Sequence, residues 1–452
     1  MTHPISKIDF SLTPRIFKLA IPVIATAQMD NVVGIATLYM VGKLGPGAIS
    51  TVGISWQIIV VIMVTMMAIT TGTFALVAQA IGAGSARDAS AITKQAITLM
   101  SILSVGISLF GIVATPTMLT FLSVPPDVAD LAKPYLEVFF ASLILIALTY
   151  TQMTCFYAAG NTRTPLYIIL ITNVITIIAS YGFIFGVWGL PTLGVVGSAY
   201  GMIVGRVLSV AFFFWALYSG RFAITLLPDT SYRLNRDLAG RILKIGIPAG
   251  LQGLFRNGSG LIFLKFVALT TASTAALAAF SIGNQVERVV RRTSLSFGTV
   301  ATTLVGQSIG AKDPDEAERR GWTTLVISIL SLALMGLPVI FFAYPTMALF
   351  TDASDVIAIG VLYLYAIALS EPFMCAATTA GGGLQGAGDT VPALVYTLVS
   401  QWLIRLPAAY ILAFPLGYDT TGLWIALVIF SALQGILTAR KFLKGEWKTR
   451  RI

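Results

Sequence analysis

Apolar runs of about twenty residues recur along the whole chain and constrain its fold more than any other feature. Each run is long enough to cross a hydrocarbon core of about 30 Å as a helix. The sequence is 56% hydrophobic and only 11% charged, whereas soluble domains contain roughly 25% charged residues. The strands of a membrane β-barrel are short and alternate polar with apolar residues. The runs in this chain are longer and do not alternate in this way. The pattern therefore predicts an all-α polytopic membrane protein with twelve transmembrane helices.

Basic residues are distributed unevenly between the two sides of the predicted spans. When the loops are assigned to alternating sides, 20 of the 29 Lys and Arg residues lie on the side of both termini. Only Lys43 and Lys133 lie on the other side. The positive-inside rule then predicts cytoplasmic N- and C-termini in the plasma (inner) membrane. The formal net charge of +10 is thus a topology signal, and we expect no nucleic-acid partner.

Two halves of the chain match each other at a fixed offset. LVAQAIGAGSARDA at 76–89 matches LVGQSIGAKDPDEA at 304–317, and AAGNTRTP at 158–165 matches GAGDTVP at 386–392. Both matches have an offset of 228 residues, with Gly160 over Gly388. Such long-range self-similarity indicates an internal repeat rather than chance.

The repeat also predicts the domain organisation. Each half contains six spans, and an even number of spans returns the chain to the side where it began. The halves therefore have one orientation and form a parallel repeat about a pseudo-two-fold axis along the membrane normal. We predict an N-lobe at 1–217, a cytoplasmic linker at 218–241 and a C-lobe at 242–452.

Several of these motifs together resemble the MATE (multidrug and toxic compound extrusion) family. The resemblance rests on VGQSIGAKDPDEA, GAGDTVP and AAGNTRTP, on LAIP followed by YMVGKLG, and on WLIRLPAAYIL. It covers essentially the whole chain and is closest to the prokaryotic DinF-like members. It implies twelve helices in two six-helix lobes and secondary antiport driven by an H⁺ or Na⁺ gradient, without a bound cofactor. It also implies export of amphipathic, often cationic compounds.

The N-lobe departs from the family pattern where relatives carry a cation site. Thr37 stands where DinF-like relatives usually carry an Asp, and the fifth span keeps Asn173 but has Thr176 and Ser180 at two further polar positions. By analogy with harder cations, a sodium site needs several oxygen ligands including a carboxylate. We therefore favour H⁺ over Na⁺ as the coupling ion. The four residues remain candidate lining of a substrate cavity.

Asp30 is the acidic residue of the first span and has Gln28 and Asn31 beside it. An ionisable group near the bilayer centre costs about 2.5–3.5 kcal/mol and marks a functional site by default. Asp30 lies two helical turns before Thr37 and shares its face, so it can replace the missing carboxylate. We predict proton coupling at Asp30 and cavity lining by Gln28 and Asn31. The alternative is a buried Asp hydrogen-bonded to Asn31 or to backbone.

Two further acids lie within spans of the C-lobe. Glu371 precedes Pro372, which lacks an N–H and so leaves a helix carbonyl free. Glu287 lies in NQVERVVRR of the eighth span. We predict that both acids take part in ion or proton coupling. The alternative is that they only neutralise nearby arginines.

Four arginines accompany the acids of the C-lobe. Arg288, Arg291 and Arg292 follow Glu287, which pairs with Arg291 at i,i+4, and Arg256 lies in the seventh span. Because arginine binds carboxylate and phosphate bidentately, these residues predict a cavity that accepts an anionic or zwitterionic substrate. The alternatives are a neutralised internal network and arginines that snorkel to one surface.

Together these features favour a monomeric secondary active exporter that works by alternating access of its lobes on small amphipathic compounds, with cationic substrates favoured. The alternative is a flippase or exporter of an anionic lipid-linked or organic-anion substrate. An enzyme is not expected, because the sequence supplies no coherent nucleophile or metal set within the spans. His3 precedes the first span, and Cys155 and Cys375 lie inside spans, which argues against a metal site and a disulfide.

Overall fold

A computed structural model describes residues 8–122 and 124–449, and every regular element in these residues is a helix. His3 lies outside the described residues. The helices of the first half are α1 (Thr13–Gly42), α2 (Pro46–Gly82), α3 (Ala86–Phe121), α4 (Pro126–Ala141), α5 (Leu143–Ala158), α6 (Arg163–Phe185) and α7 (Val195–Tyr218). Those of the second half are α8 (Arg236–Ala268), α9 (Ser273–Gly310), α10 (Pro314–Phe341), α11 (Ala343–Ala348), α12 (Ser354–Gly386), α13 (Val391–Thr397), a π-helical segment (Leu398–Arg405), α14 (Leu406–Ala413) and α15 (Asp419–Lys444).

Within the described residues, ten membrane spans are recognised because their helices are long and apolar enough to cross a bilayer. Nine are single spans, with α13, the π-helical segment and α14 acting as one, and the tenth is the pair α4 and α5, bent by 47° at Ser142. Helices α8 and α9 have 33 and 38 residues, which gives each a length of about 50 Å or more. They can therefore also cross the membrane, and polar residues lower their apolarity, among them Gln252, Arg256 and Asn257 in α8 and the segment 287–292 in α9. The count of twelve follows.

The repeat is visible in the backbone of the connecting turns. Ser85 and Asp313, one repeat apart, both cap the next helix by accepting a hydrogen bond from the backbone N–H three residues later. Gly84 has a φ of 71°, and Lys312 at the equivalent position keeps the left-handed conformation at 61° although it is not glycine. Since a side chain at positive φ is uncommon, the turn geometry itself is retained in both halves.

The described residues form two compact units whose limits fall inside helices. One unit is Ala25–Gly246 and the other contains the residues on either side of it. The division lies within three residues of Pro22 in α1 and of Pro248 in α8, where a proline removes a helical hydrogen bond. The predicted lobes at 1–217 and 242–452 have other limits, because the first turns of α1 belong to the unit that contains α9, and the first turns of α8 belong to the unit that contains α2. The lobe boundaries stay a prediction.

The start of α1 packs in the unit that contains α9. Ile16 and Ala20 are fully buried in a cluster with Val290 and Phe297, and the ring of Phe17 meets that of Phe297 edge to face at 6.2 Å. These contacts explain why the first turns of α1 belong to this unit.

The start of α8 packs against α2 in the unit Ala25–Gly246. A Cβ atom at Gly246 would lie 1.6 Å from the carbonyl oxygen of Ala68, and one at Gly72 would lie 2.0 Å from that of Ile242. Only glycine permits this backbone approach, as is common where membrane helices pack closely.

The predicted linker is fixed to the start of α3. Lys94 is buried, and its Nζ donates to the carbonyl oxygens of Leu227 at 2.6 Å and of Thr230 at 2.8 Å. Gln95 donates to the carbonyl oxygen of Arg233 and accepts from the backbone N–H of Asn235. The linker is thus an ordered part of its unit.

The segment after α15 makes a similar attachment to the start of α10. Lys448 Nζ lies 2.8 Å from Asp315 and 2.6 Å from Glu318, and the indole of Trp447 stacks on Phe442 at 4.9 Å. In each half of the chain, therefore, the segment after the sixth span is attached to the start of the third span.

Replacing Gly246 by alanine should destabilise the protein by about 1–3 kcal/mol, the usual cost of overpacking. Gly240→Ala in the same helix is the control, because a Cβ there meets nothing within 4 Å and alanine is the better helix former by about 0.5–1 kcal/mol. Thermal unfolding of both variants in detergent measures the difference. Equal melting temperatures would contradict the close approach of α8 and α2.

Candidate coupling and substrate site

Glu287 of α9 is held by two partners. Tyr363 of α12 is fully buried and donates its hydroxyl to Glu287 Oε2 at 2.6 Å, and Arg291 Nη1 donates to Glu287 Oε1 at 3.1 Å. Both carboxylate oxygens are therefore occupied. The second contact confirms the i,i+4 pair expected from the sequence, and the first joins α9 to α12.

An aromatic cluster surrounds the Tyr363 ring. Trp424 of α15 lies 4.4 Å from Tyr363, and Phe280 of α9 lies 5.3 Å from it. Phe280 and Trp424 are parallel at 6.2 Å, and Phe263 of α8 lies 6.3 Å from both. Four helices thus meet at these rings, which bury large apolar surface and fix the orientation of the Tyr363 hydroxyl.

Arg405 ends the π-helical segment and lies against this cluster. Its guanidinium carbon is 4.0 Å from the ring centroid of Phe263 and 4.7 Å from that of Phe430. Its Nε is buried and has no hydrogen-bond partner in the described residues, while Glu287 and Tyr363 are electrostatic neighbours of the side chain. Ring faces therefore stabilise this cation, and π-helical turns often occur at functional sites.

Glu371 of α12 lies in the same electrostatic neighbourhood. It is 4% exposed, its Oε2 has no hydrogen-bond partner within the described residues, and Glu287 and Arg291 are its charged neighbours. A buried carboxylate that lacks a hydrogen bond is costly when ionised. This conformation therefore suits the neutral acid better than the carboxylate.

The four arginines predicted to line a cavity lie together in the same unit. Arg288 is exposed and has Arg291, Arg292 and Glu287 as electrostatic neighbours, and Arg256 of α8 has Arg291 as its neighbour. The Arg291 side chain is 47% exposed although it pairs with Glu287. The residues separated in sequence are thus brought into one cationic cluster.

The first-span candidates lie in the other unit. Asp30 is half-buried in α1 and has Tyr157 of α5 as an electrostatic neighbour. Asn31 donates its Nδ2 proton to Gln28 Oε1 at 2.8 Å, so these two side chains bond to each other. Thr37 is half-buried further along α1.

The fifth-span candidates face α7. A Cβ at Gly205 would lie 1.8 Å from Thr176 Oγ1, and one at Gly201 would lie 2.2 Å from Ser180 Oγ. Thr176 donates to a carbonyl of its own helix, and Ser180 is fully buried. These two hydroxyls are therefore packed in a helix contact. Asn173 is buried too, and its Nδ2 has no partner in the described residues.

Sequence reasoning did not identify Tyr363 and the aromatic cluster as part of the site. The available signal was the repeat, since Tyr363 lies 228 residues after Tyr135. Gln152 was also missed; it is fully buried, and neither side-chain polar atom has a partner in the described residues. Arg405 was not identified as part of the site either, although its guanidinium lies over the rings of Phe263 and Phe430.

Within the described part of the chain, no group of three or more His, Cys, Asp or Glu residues is placed to hold a metal ion. Cys155 and Cys375 are both buried free thiols. The polar groups gathered around Glu287 are carboxylates, a phenol and guanidinium groups. These can exchange protons and bind ions.

Long helices, a two-part repeat and charged groups held between spans define a polytopic helical transporter. The MatE family model matches residues 22–182 and 248–411, so the chain belongs to this family of secondary transporters and is not an enzyme. A probable multidrug resistance protein NorM of Thermotoga maritima is 25% identical, with 97% of this chain and 94% of the relative covered. An uncharacterized transporter of Bacillus subtilis, YisQ, is also 25% identical, over 96% and 95%.

Solved structures show the same fold. An outward-facing multidrug resistance MATE family transporter of the MOP superfamily has a TM-score of 0.88 at 20% identity, over 95% of both chains. A MOP superfamily transporter of Pyrococcus furiosus, described as having a binding pocket of reverse polarity, has a TM-score of 0.87 at 19% identity, over 97% and 96%. The expected twelve-helix, two-lobe fold and the family are confirmed; the DinF-like branch stays a prediction.

Tyr363→Phe should lower the free energy of unfolding by about 1.5–3 kcal/mol, the range for a hydrogen bond to a charged group. The ring and its aromatic contacts remain, so the loss reports the bond to Glu287. Tyr365→Phe, an exposed tyrosine two residues later, is the control. Chemical denaturation in micelles measures both variants, and an equal effect of the two substitutions would contradict the role of the Tyr363 hydroxyl.

Proposed function

We propose that this protein exports small amphipathic organic compounds from the cytoplasm by alternating access of its two lobes, in exchange for protons. Membership of the MatE family and multidrug-resistance relatives support an exporter. The observation that carries proton coupling is Glu371, a buried acid with an unpartnered oxygen beside a second acid, Glu287.

The charge of the carboxylates supplies the exchange. When Glu371 and Asp30 are ionised, they attract a cationic substrate; when protons from outside neutralise one or both, the substrate is released. Asp30, half-buried beside Tyr157, supplies a second carboxylate in the N-lobe. Antiport requires that binding of the proton weakens binding of the substrate, and the reverse.

Protons fit these groups better than sodium. Sodium coordination needs several convergent oxygens, whereas Glu287 already binds Tyr363 and Arg291 with its two oxygens. The Thr176 hydroxyl of the N-lobe is packed against Gly205. We further propose a monomer in the plasma (inner) membrane with both termini cytoplasmic, on the basis of the Lys and Arg distribution.

Glu371→Gln should reduce efflux driven by a pH gradient at least tenfold, because an amide cannot release a proton. Asp30→Asn should also lower it, because the N-lobe loses its exchanging carboxylate. Glu137→Gln, a half-buried acid of α4, is the control and should retain wild-type efflux. The measurement is transport of a cationic fluorescent dye in proteoliposomes under an imposed pH or sodium gradient.

The same assay tests the coupling ion. Stimulation of wild-type transport by a sodium gradient at fixed pH would refute proton coupling. Full pH-driven efflux by Glu371→Gln would remove Glu371 from the exchange.

A further inference from the structure

We propose that Arg256, Arg288, Arg291 and Arg292 form a binding site for an oxyanion, the carboxylate or phosphate group of an amphipathic substrate. The proposal rests on the proposed function only in treating the chain as an exporter of small molecules. It requires neither proton nor sodium coupling.

The first support is the balance of charge. Within the group of electrostatic neighbours in this unit, these four arginines and Arg405 stand against Glu287 and Glu371. Three positive charges remain in excess even when both acids are ionised. A purely structural network within a membrane would be expected to balance its charges, because excess charge in a low-dielectric region is costly. An anionic ligand would supply the missing balance.

The second support is the position of the arginines along α9. Residues 287–292 lie near the middle of this 38-residue helix. A helix that spans the membrane places its middle far from both surfaces, so the side chains would be too deep to snorkel easily to the headgroups. Intramembrane charges at such a depth almost always face the protein interior or a water-filled cavity.

The third support is the character of the exposed stripe around them. The exposed residues Ser281, Gln285 and Arg288 follow one another at helical spacing on α9, and Val289 and Leu295, at 45% and 44% exposure, add an apolar part to the same face. The corresponding exposed stripe of α10 contains Leu330 at 58% and Leu334 at 67% exposure. An apolar stripe is suited to lipid and a polar one to water. The α9 face combines polar and apolar exposed side chains, which suits a cavity that an amphipathic substrate can enter.

The fourth support is that guanidinium donors remain available. Arg288 makes no hydrogen bond through its side chain in the described residues, and Arg291 contacts Glu287 through Nη1. A guanidinium has five N–H donors in a rigid fork that matches a carboxylate or phosphate. Arg288 and Arg291 can thus bind an oxyanion without breaking the contact to Glu287.

The direction of transport is compatible with an anion. The membrane potential of a cell, negative inside, favours outward movement of a negative charge. An anionic substrate can therefore be exported without exchange of a proton at Glu287. The oxyanion itself can belong to a soluble organic anion or to a lipid headgroup, and the experiment must separate these sources.

The test measures binding of carboxyfluorescein, an anionic dye, to the purified full-length protein in nanodiscs of phosphatidylcholine. Arg288→Gln and Arg256→Gln should each weaken binding at least tenfold. Arg288→Lys should weaken it less, because the charge remains and the bidentate fork is lost. Lys265→Gln, an exposed cation of α8, is the matched control and should bind as the wild type does.

The lipid source is tested by adding phosphatidic acid to the nanodiscs. If phosphatidic acid displaces the dye, the site is assigned to a lipid phosphate. If it does not displace the dye, the site is assigned to a soluble organic anion. Either result supports oxyanion binding. Undiminished binding in Arg288→Gln and Arg256→Gln would overturn the proposal. The melting temperature of every variant is measured to show that the variant is folded. Loss of dye binding in both Arg288→Lys and Lys265→Gln would also overturn the proposal.

The two proposals fail separately. If anionic dye binding depends on Arg288 while a pH gradient drives no efflux of a cationic dye, the oxyanion site stands and proton coupling fails. If the pH gradient drives cationic efflux and the arginine variants bind the anion normally, only the oxyanion site fails.

Discussion

The carboxylate of Glu287 joins the parts of the C-lobe site, and the remaining charged groups are arranged around it. Its two oxygens accept hydrogen bonds from Tyr363 and Arg291, so α9 and α12 are linked at this carboxylate. A charge in a hydrocarbon environment must be satisfied by the protein or exposed to a water-filled cavity. Aromatic rings meet the same need for Arg405, whose guanidinium lies 4.0 Å from the Phe263 ring.

The sequence predicted what depends on local pattern. Length and apolarity predict the spans, the offset of 228 predicts the repeated turns, and i,i+4 spacing predicts the pair of Glu287 and Arg291. Even the low apolarity of α8 and α9 is explained by polar and charged residues visible in the sequence. These features depend on neighbouring residues, so they can be inferred without the tertiary structure.

Contacts between distant residues could not be predicted in this way. Tyr363 lies 76 residues from Glu287, and nothing in either segment alone specifies the other as its partner. The close approach of Gly246 to Ala68 likewise determines where α8 packs, although the repeat alone divides the chain elsewhere. Thr176 was interpreted as cavity lining from its position in a motif. Its contact with Gly205 depends on the packing of α7 against α6, which the motif does not specify.

The two halves retain the same turns but differ in the chemistry of their spans. Ser85 and Asp313 cap equivalent helices, and Lys312 keeps the backbone conformation of Gly84. The first half nevertheless has one acid near the middle of its first span, whereas the second half has two acids among five arginines. Symmetric architecture therefore does not imply equivalent sites. The scaffold constrains the turns, while the polar residues of each lobe are free to specialise.

This difference gives the C-lobe site opposite responses to substrates of opposite charge. Protonation of Glu287 or Glu371 removes a negative charge, so it weakens the attraction of a cation. The same protonation at Glu287 releases Arg291 from its partner, so it strengthens the attraction of an oxyanion. Because linkage is reciprocal, a bound cation opposes proton uptake and a bound oxyanion favours it. Proton antiport therefore follows naturally for cations, whereas an anion leaving through this site must be driven by the membrane potential or by a carboxylate elsewhere, such as Asp30.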